Sequence, residues 1–198
     1  LLGLLAERGV AAKSIAVGST AGLAALARGE GDVAGIHLLD EATGEYNRPF
    51  LPPGVGLERG YGRRQGVAFR LGDPDFDVPD LDSFLAAVRR DGRRMVNRNP
   101  GSGTRVLLDR LLGGARPDGY ANQPRTHHAV AAAIAQGRAD WGMTLDAIAA
   151  AAGLGFLFVQ DERYDLAVPH GRRTRPAVAA LLALLEDPGA RAGLHRLG

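Results

Sequence analysis

The sequence predicts an α/β protein with mostly parallel sheets, and three observations support this fold class. Apolar runs of four or five residues alternate with longer amphipathic segments along most of the chain, as in proteins built from strand–helix units. Glycine, at 28 of 198 residues, lies at many of the boundaries between these segments. A chain of 198 residues is also long enough to bury a core, in one unit or in two small lobes.

One local unit occurs twice. Residues 25–35 (ALARGEGDVAG) and 133–143 (AIAQGRADWGM) each contain a helix end, a glycine, a turn with an aspartate and the start of a strand, 108 residues apart. This connection is common in α/β proteins, so the similarity is also explained as two ordinary helix-to-strand connections. The interpretation we prefer is a pair of related lobes, each containing the unit.

Each element follows from its apolar periodicity and its end signals. Helices end before Gly29, Gly92, Gly137 and Gly153, and the last helix has Pro176 in its first turn. Residues 43–62 are rich in Gly, Pro and Arg without periodicity, which predicts a loop or a long crossover. The predicted strands are 14–17, 33–37, 66–70, 94–97, 140–143, 156–160 and 164–168. The predicted helices are 20–28, 79–90, 104–112, 126–136, 144–153 and 176–186.

Composition excludes several classes of protein. The chain has no cysteine, which excludes a disulfide scaffold, a thiolate zinc site and a cysteine nucleophile. No apolar run approaches the ~18–20 residues of a membrane span, and no signal peptide is visible. The first residue is Leu rather than Met, so we expect a fragment or a processed chain. A cytoplasmic location is favoured, and a periplasmic one is the alternative for a processed chain.

Charge indicates neither a nucleic-acid surface nor a metal site. The 24 basic and 22 acidic residues leave a net charge of +2, and the arginines are scattered rather than arranged in a stripe. Rows of aromatic residues for base stacking are missing as well, so direct nucleic-acid binding is not expected. His127 and His128 are adjacent and cannot share a helix face, and no acidic residue lies at metal-site spacing.

The strongest functional signal is the segment 96–112 (VNRNPGSGTRVLLDRLL). A strand runs into a glycine-rich turn and then into a helix, whose first N–H groups form a natural anion site. Ser102 and Thr104 add hydroxyl donors, and Arg98 and Arg105 add positive charge. The segment matches neither the P-loop nor the dinucleotide-binding fingerprint. A capped helix without a ligand remains the alternative at this point.

A weaker copy lies at 17–26 (VGSTAGLAAL), where Ser19 and Thr20 open a helix. Taken alone, these two residues are also explained as an ordinary helix cap. Two such helix starts facing one cleft would surround a small anion with donors. Thr126 and Thr144 open two further helices and are either additional donors or plain caps.

His37 ends a predicted strand, at the edge where parallel sheets bind ligands. The alternative is a histidine bonded within its own loop. A triad of Ser19 or Ser102 with a histidine and an aspartate lacks the G-x-S-x-G elbow, so we assign no catalytic residue. Trp141 begins a strand and is expected in the core or between lobes.

The combination of these stretches resembles the type II periplasmic-binding-protein-like domains related to molybdate- and tungstate-binding proteins. Members of that family occur alone, behind a helix-turn-helix DNA-binding segment, or attached to a molybdopterin-biosynthesis enzyme. The matching stretches lie at 18–47, 63–69, 96–112, 126–143 and 162–169, and they span almost the whole chain.

The resemblance implies an α/β fold of two lobes, each a mixed, mainly parallel sheet flanked by helices, with a ligand cleft between them. Lobe 1 would contain 1–66 and 162–198, and lobe 2 would contain 67–161. Related tungstate binders hold the anion with a Ser-Arg-x-x-x-Ser-Gly-Thr run. The matching residues here are Asn97 (in place of the first Ser), Arg98, Ser102, Gly103 and Thr104. His37 with Asp40, and Met143 with Thr144, occupy further aligned positions.

Two departures bear on the site. Family members normally begin with a strand that runs into a helix start containing Gly and Ser, and this sequence begins inside that helix, at LLGLLAERG. Part of the site is therefore expected to precede Leu1. The segment between Tyr46 and Arg63 is also short for the family.

These observations predict capture of a small oxyanion, molybdate or tungstate, without chemistry and without a cofactor. The expected partner is a membrane transporter or a fused helix-turn-helix segment. The first alternative is an effector module for a pterin-like or phosphorylated organic anion. The second is an enzyme acting on a phosphorylated metabolite, with His37 as its general base.

Overall fold

The computed structural model describes residues 1–40, 42–76, 78–89 and 92–195. The strands are β1 (Ala34–Ile36), β2 (Val55–Arg70), β3 (Met95–Val96), β4 (Trp141–Leu145) and β5 (Leu154–Pro169). The helices are α1 (Leu2–Glu7), α2 (Ser19–Ala27), α3 (Leu81–Val88), α4 (Gly103–Leu112), α5 (His127–Ala135), α6 (Asp146–Ala151), α7 (Pro176–Glu186) and α8 (Pro188–His195). Short 3-10 turns lie at Arg48–Phe50 and His170–Arg172.

The chain forms two compact units. Of the described residues, unit 1 contains Leu1–Gly62 and 163–195, and unit 2 contains those between Arg63 and Glu162. Both boundaries fall inside the long strands β2 and β5, so each of these strands supplies residues to both units. The strand order is β1-β5-β2-β4-β3. Among the described residues, no helix is long and apolar enough to cross a bilayer.

Unit 1 is built on the pairing of β1 with the last part of β5, which is antiparallel with Ala34 opposite Ala167. Helix α2 packs on this pair through Leu23 and Leu26. Gly22 allows the close approach, since a Cβ there would lie 3.2 Å from the Cβ of Ala34. A second apolar cluster joins α1, α7 and α8 to the same strand. Its buried members are Leu5, Leu166, Val168, Val178, Leu181, Leu184, Leu185, Ala190 and Leu194.

Unit 2 is built around β4, which pairs antiparallel with β2 and parallel with β3. Successive strand residues face opposite sides, so Trp141 and Met143 enter one apolar cluster while the helices α5 and α6 cover the other face. The first cluster is aromatic: the rings of Phe84 and Trp141 meet edge to face with centroids 5.5 Å apart. Trp141 is fully buried, in agreement with its expected place in the core.

Most predicted elements have counterparts, and the last long helix matches at both ends, Pro176–Glu186. Two predictions are wrong at the strands. The loop predicted for 43–62 includes the first half of β2, and the two strands predicted at 156–160 and 164–168 are one strand. Both errors have one cause: these stretches carry glycine or charged residues in a strand that is stabilised by pairing with distant strands.

Three further predictions differ from the structure. Residues 14–17 form no strand, and Ile15 remains 68% exposed, because a short β-prone run needs a partner strand. Thr144 caps no helix: it continues β4 opposite Gly66, and α6 begins at Asp146. The sheet is also less parallel than expected, since β1–β5 and β2–β4 are antiparallel while β3–β4 is parallel.

Gly119 should be the most sensitive glycine beside β3. Its φ of +84° lies in the left-handed region, and an added Cβ would lie 2.1 Å from the carbonyl oxygen of Met95. We expect Gly119→Ala to lower the free energy of unfolding by about 2–4 kcal/mol, because backbone strain and the clash add. Denaturant unfolding of the purified chain measures this.

The matched control is Gly114→Ala. Gly114 has a similar φ of +90°, but no atom lies within 4 Å of its added Cβ. Gly114→Ala should therefore lower the free energy of unfolding only by the cost of the left-handed backbone conformation, about 1 kcal/mol. Equal losses in the two variants would contradict the expected clash.

Candidate functional site

The turn between β3 and α4, here called the α4 loop (residues 97–104), forms the helix start that the sequence predicts. Gly101 has a φ of +80°, which permits the tight turn. Ser102 is the helix cap: its hydroxyl oxygen accepts a hydrogen bond from the N–H of Arg105 at 3.2 Å and donates to the carbonyl of Asn99 at 3.1 Å. The Ser102 hydroxyl therefore shapes the loop from within.

Arg98 is the main charged group of this loop, and it is only 8% exposed. Its Nη2 donates to the carbonyl of Arg125 at 3.2 Å, while its buried Nε and Nη1 have no hydrogen-bond partner in the part of the chain that the structure describes. Burial, assisted by the positive charge of Arg63 and opposed by Glu162, lowers the pKa of Arg98 to about 10. The side chain thus remains protonated at neutral pH, with two donor atoms to offer.

Other donors lie at the start of the same helix. Thr104 is fully buried, and its hydroxyl has no hydrogen-bond partner. The N–H groups of Gly103 and Thr104 are the first of α4, so they have no acceptor within the helix. Together with Arg98, these groups can donate to an oxyanion at the positive end of the helix dipole.

The guanidinium of Arg105, unlike that of Arg98, is held by several contacts within the protein. Its Nη1 donates to the carbonyl of Arg98 at 3.1 Å, and its Nε donates to Asp109 at 2.8 Å. Its guanidinium also lies over the ring of Tyr120, 4.3 Å from the centroid, and the Tyr120 hydroxyl donates to Asp109 at 2.8 Å. These contacts brace the α4 loop. A direct contact of Arg105 with a ligand stays a prediction.

A buried polar group on β2 and β5 was not assigned a role from the sequence. Glu162 is 3% exposed, and its carboxylate accepts hydrogen bonds from Arg63 and Gln65. Arg63 and Gln65 occupy every second position of β2, in the same series as the core residues Val67 and Phe69 that follow them. That period of two, continued into polar residues, is the signal that could have revealed them.

The remaining predicted residues of unit 2 lie on β4. Met143 is 1% exposed and its side chain belongs to the aromatic cluster. Thr144 is fully buried, and its hydroxyl lies 3.3 Å from the carbonyl of His127, to which it donates. Thr126 caps α5 by accepting from the N–H of Ala129 at 3.1 Å, as the sequence predicts.

The predicted residues of unit 1 are arranged around the start of α2. Ser19 is 1% exposed, and its hydroxyl accepts from the N–H of His37 at 3.1 Å. Thr20 is exposed. The His37 ring stacks on Tyr164 with centroids 5.9 Å apart, and Asp40 accepts from two N–H groups of its own turn. Contacts of Ser19, Thr20 and His37 with a ligand stay predictions.

A second buried network in unit 1 also escaped the sequence analysis. Asn47, with a φ of +64°, accepts from the N–H of Leu38 at 2.7 Å and donates to Asp165 at 3.0 Å. Asp165 also accepts from the N–H of Gly60 at 3.0 Å. The network ties the segment after β1 to β2 and β5 within unit 1. Across the described ranges, no cluster of three or more His, Asp or Glu side chains could hold a metal ion.

Comparison with known proteins identifies the family. Residues 2–186 match the family described as the PBP superfamily domain. The chain belongs to this family. Over 190 residues it is 30% identical to the uncharacterized protein YvgK of Bacillus subtilis (strain 168). That match covers 91% of this chain and 59% of YvgK, so the chain spans less than two thirds of this curated relative.

Two solved structures show the same fold. An ABC-type phosphate transport receptor from Vibrio cholerae aligns with a TM-score of 0.55 and 13% identity, over 90% of this chain and 82% of the receptor. The regulatory domain of CcmR from Synechocystis PCC6803, solved in complex with 2-PG, aligns with a TM-score of 0.61 and 14% identity, over 92% and 86% of the two chains. These likenesses confirm the α/β, periplasmic-binding-protein type II-like fold.

One of these neighbours is a transport receptor and the other is a regulatory domain. At 13% and 14% identity, the likeness shows the fold that this chain shares with both kinds of protein.

Truncation of Arg98, in the α4 loop, and of Arg105, in the first turn of α4, should affect the free energy of unfolding differently. Arg98→Met removes a buried charge with two unpartnered donor atoms, so the free energy of unfolding should not fall. Arg105→Met removes hydrogen bonds to Asp109 and to the loop backbone and should cost about 1–3 kcal/mol. Denaturant unfolding without added anions compares the two. A larger loss for Arg98→Met would show that its charge is satisfied within the protein.

Proposed function

We propose that this PBP-like chain binds a small oxyanion at the α4 loop of unit 2, with molybdate and tungstate as the first candidates from the sequence resemblance. The observation that carries the proposal is the buried, protonated Arg98, whose Nε and Nη1 have no hydrogen-bond partner among the described residues. The hydroxyl of Thr104, in the first turn of α4, is a second buried donor of which the same is true. Buried donors without partners are costly. An oxyanion would satisfy several of them at once.

Charge supports the same proposal. The buried residues Arg63, Arg98 and Glu162 carry two guanidinium groups and one carboxylate, and an anion would bring the two signs into balance among these groups. An anion supplies that balance in a poorly solvated place, where charge-assisted hydrogen bonds contribute roughly 1.5–3 kcal/mol each. Three or four such bonds, less the costs of desolvation and ordering, make a Kd near ~1 µM reasonable.

The proposed activity is capture without turnover. The groups that the proposal uses, Arg98 and the start of α4, are hydrogen-bond donors, which hold an oxyanion without attacking it. We further propose that binding is read by a partner, either a membrane transporter or a fused helix-turn-helix segment.

A phosphorylated organic anion is the second candidate. It is favoured by one observation: the buried Oε1 of Gln65 is an acceptor without a partner, and simple deprotonated oxyanions bring no donor for it.

Oxyanion binding should depend on Arg98. We expect molybdate, tungstate, sulfate or phosphate to give saturable heat with the wild-type chain, and Arg98→Met to weaken that binding by about 100-fold or more, the effect of about 3 kcal/mol from a charged hydrogen-bond donor. Isothermal titration calorimetry measures both.

Arg110→Met is the matched control, because Arg110 lies in the last turn of the same helix. It removes the same charge far from the loop, so the Kd should change less than about threefold. Unchanged binding in Arg98→Met, or an equal loss in both variants, would refute the site.

Binding should also weaken at high pH. Arg98 must be protonated to hold an anion, and its pKa in the free protein is about 10. Affinity for sulfate, which does not titrate here, should be level from neutral pH to about pH 9 and fall above about pH 10. Bound anion raises this pKa, so protons are taken up on binding in that range. A flat profile to pH 11 would contradict the role of Arg98, and Arg98→Met should lack the step.

A further inference from the structure

A segment of unit 2 that follows α4, here called the strap (residues 117–125), runs along β3, the last strand of the sheet. Its backbone carbonyls accept hydrogen bonds from that strand and from the residue after it. The N–H of Met95 donates to the carbonyl of Asp118 at 2.7 Å, and the N–H of Asn97 donates to the carbonyl of Asn122 at 2.9 Å. The strap is thus fixed to the point where the α4 loop begins.

Asn97, the first residue of the α4 loop, is 1% exposed, and both polar atoms of its side chain have partners. Its Oδ1 accepts from the N–H of Arg98 at 2.8 Å, and its Nδ2 donates to the carbonyl of Tyr120 at 3.4 Å. An N–H needs an acceptor and a carbonyl needs a donor, so one orientation of the amide serves both. The Asn97 side chain therefore joins the backbone of the α4 loop to the strap.

The strap also holds the other end of Arg98. The Nη2 of this arginine donates to the carbonyl of Arg125, a strap residue, at 3.2 Å. The backbone of Arg98 is thus held through the amide of Asn97, while its guanidinium is held by a strap carbonyl. Groups that are fixed before a ligand arrives need less ordering when it binds.

The resemblance gives Asn97 a different role. Tungstate binders have a serine at this position, in the run that holds the anion. A serine side chain is shorter and has a single oxygen, so it cannot reproduce both hydrogen bonds of the amide. In this chain those two bonds direct the polar atoms of Asn97 to the protein itself.

We infer that Asn97 is a positioning residue for anion binding: it sets the α4 loop against the strap so that Arg98 is ready for an anion, and it is not itself an anion ligand. The inference rests on the proposed function, since Arg98 is the group to which we propose that the anion binds. It follows that the strap controls affinity through Arg98.

Asn97→Ser tests this inference, because the two roles predict different affinities. The wild-type chain is titrated calorimetrically with molybdate, tungstate, sulfate and phosphate, and the anion that binds most tightly is the probe for the variants. A positioning role predicts that Asn97→Ser weakens binding by about 5- to 20-fold, since the loop and Arg98 must then be ordered on binding. A ligand role predicts about the wild-type affinity, because serine is the residue of the tungstate binders.

The matched control is Asn122→Ser, the same substitution on the strap. Asn122 is exposed, and its backbone carbonyl, which the substitution keeps, accepts from the N–H of Asn97. The Kd for the probe anion should change less than about twofold.

Hydrogen exchange separates positioning from a merely structural role. In free Asn97→Ser, the amides of the α4 loop and the strap should exchange about tenfold or more faster than in the wild-type chain. Saturating probe anion should restore most of this protection, because the anion then orders the loop. A merely structural role predicts faster exchange with an unchanged Kd, and a ligand role predicts a changed Kd with wild-type exchange in the free protein.

Gly119→Ala tests the strap without changing a polar group of the site. The added Cβ would lie 2.1 Å from the carbonyl oxygen of Met95, so the strap must move away from β3. In the folded variant, judged by circular dichroism, we expect binding to weaken by about fivefold or more. Gly114→Ala lies outside the strap and meets no atom within 4 Å, so it should keep the wild-type Kd.

The outcomes distinguish the inference from the proposed function. Lost binding in Arg98→Met together with wild-type affinity in Asn97→Ser overturns the inference and leaves the proposed function in place. Either alternative pattern of exchange and affinity in Asn97→Ser does the same. No binding of the four anions to the wild-type chain overturns the proposed function, and the inference falls with it.

Discussion

Burial of the Arg98 guanidinium is the constraint from which the candidate site follows. A protonated arginine loses much of its hydration at 8% exposure, and the cost is recovered only where hydrogen bonds and opposite charge replace the water. Here one carbonyl accepts from Nη2, while Nε and Nη1 have no acceptor. The nearby carboxylate of Glu162 is already bonded to Arg63. Unit 2 therefore holds a buried guanidinium with two donor atoms from which an anion can accept hydrogen bonds.

The surrounding structure keeps this charge in place. Arg105 bonds to the carbonyl of Arg98, and Asp109 and Tyr120 hold Arg105 in turn. Ser102 closes the loop by capping α4. Donors that are positioned in advance need less ordering when a ligand binds, which preserves more of the interaction free energy for affinity. The bonds that stabilise the loop thus converge on Arg105, while Arg98 is the group to which we propose that an anion binds.

The α4 loop by itself does not select one oxyanion. The helix start offers N–H and O–H donors that suit any oxyanion, so it does not separate molybdate from phosphate. Gln65 and Glu162 lie on β2 and β5, 97 residues apart in the chain, and their hydrogen bond joins the two strands. The resemblance of the loop to tungstate binders therefore predicts an oxyanion as a class, and molybdate and tungstate stay proposals.

The sequence by itself determined the α/β class, most helices and the α4 loop, because these depend on periodicity, caps and glycine turns that neighbouring residues encode. Its resemblance to periplasmic-binding-protein-like domains indicated the superfamily. Thr126, Ser102 and Pro176 all lie at helix starts as their local patterns predict. Only the tertiary structure decided that 55–62 is a strand, that 14–17 is not, and that Thr144 continues β4. It also decided that Arg98 is unsatisfied while Arg105 is braced, and that Gln65 faces Glu162. These outcomes depend on partners distant in the chain, and a strand or a buried polar group is stabilised only by what it meets across the fold.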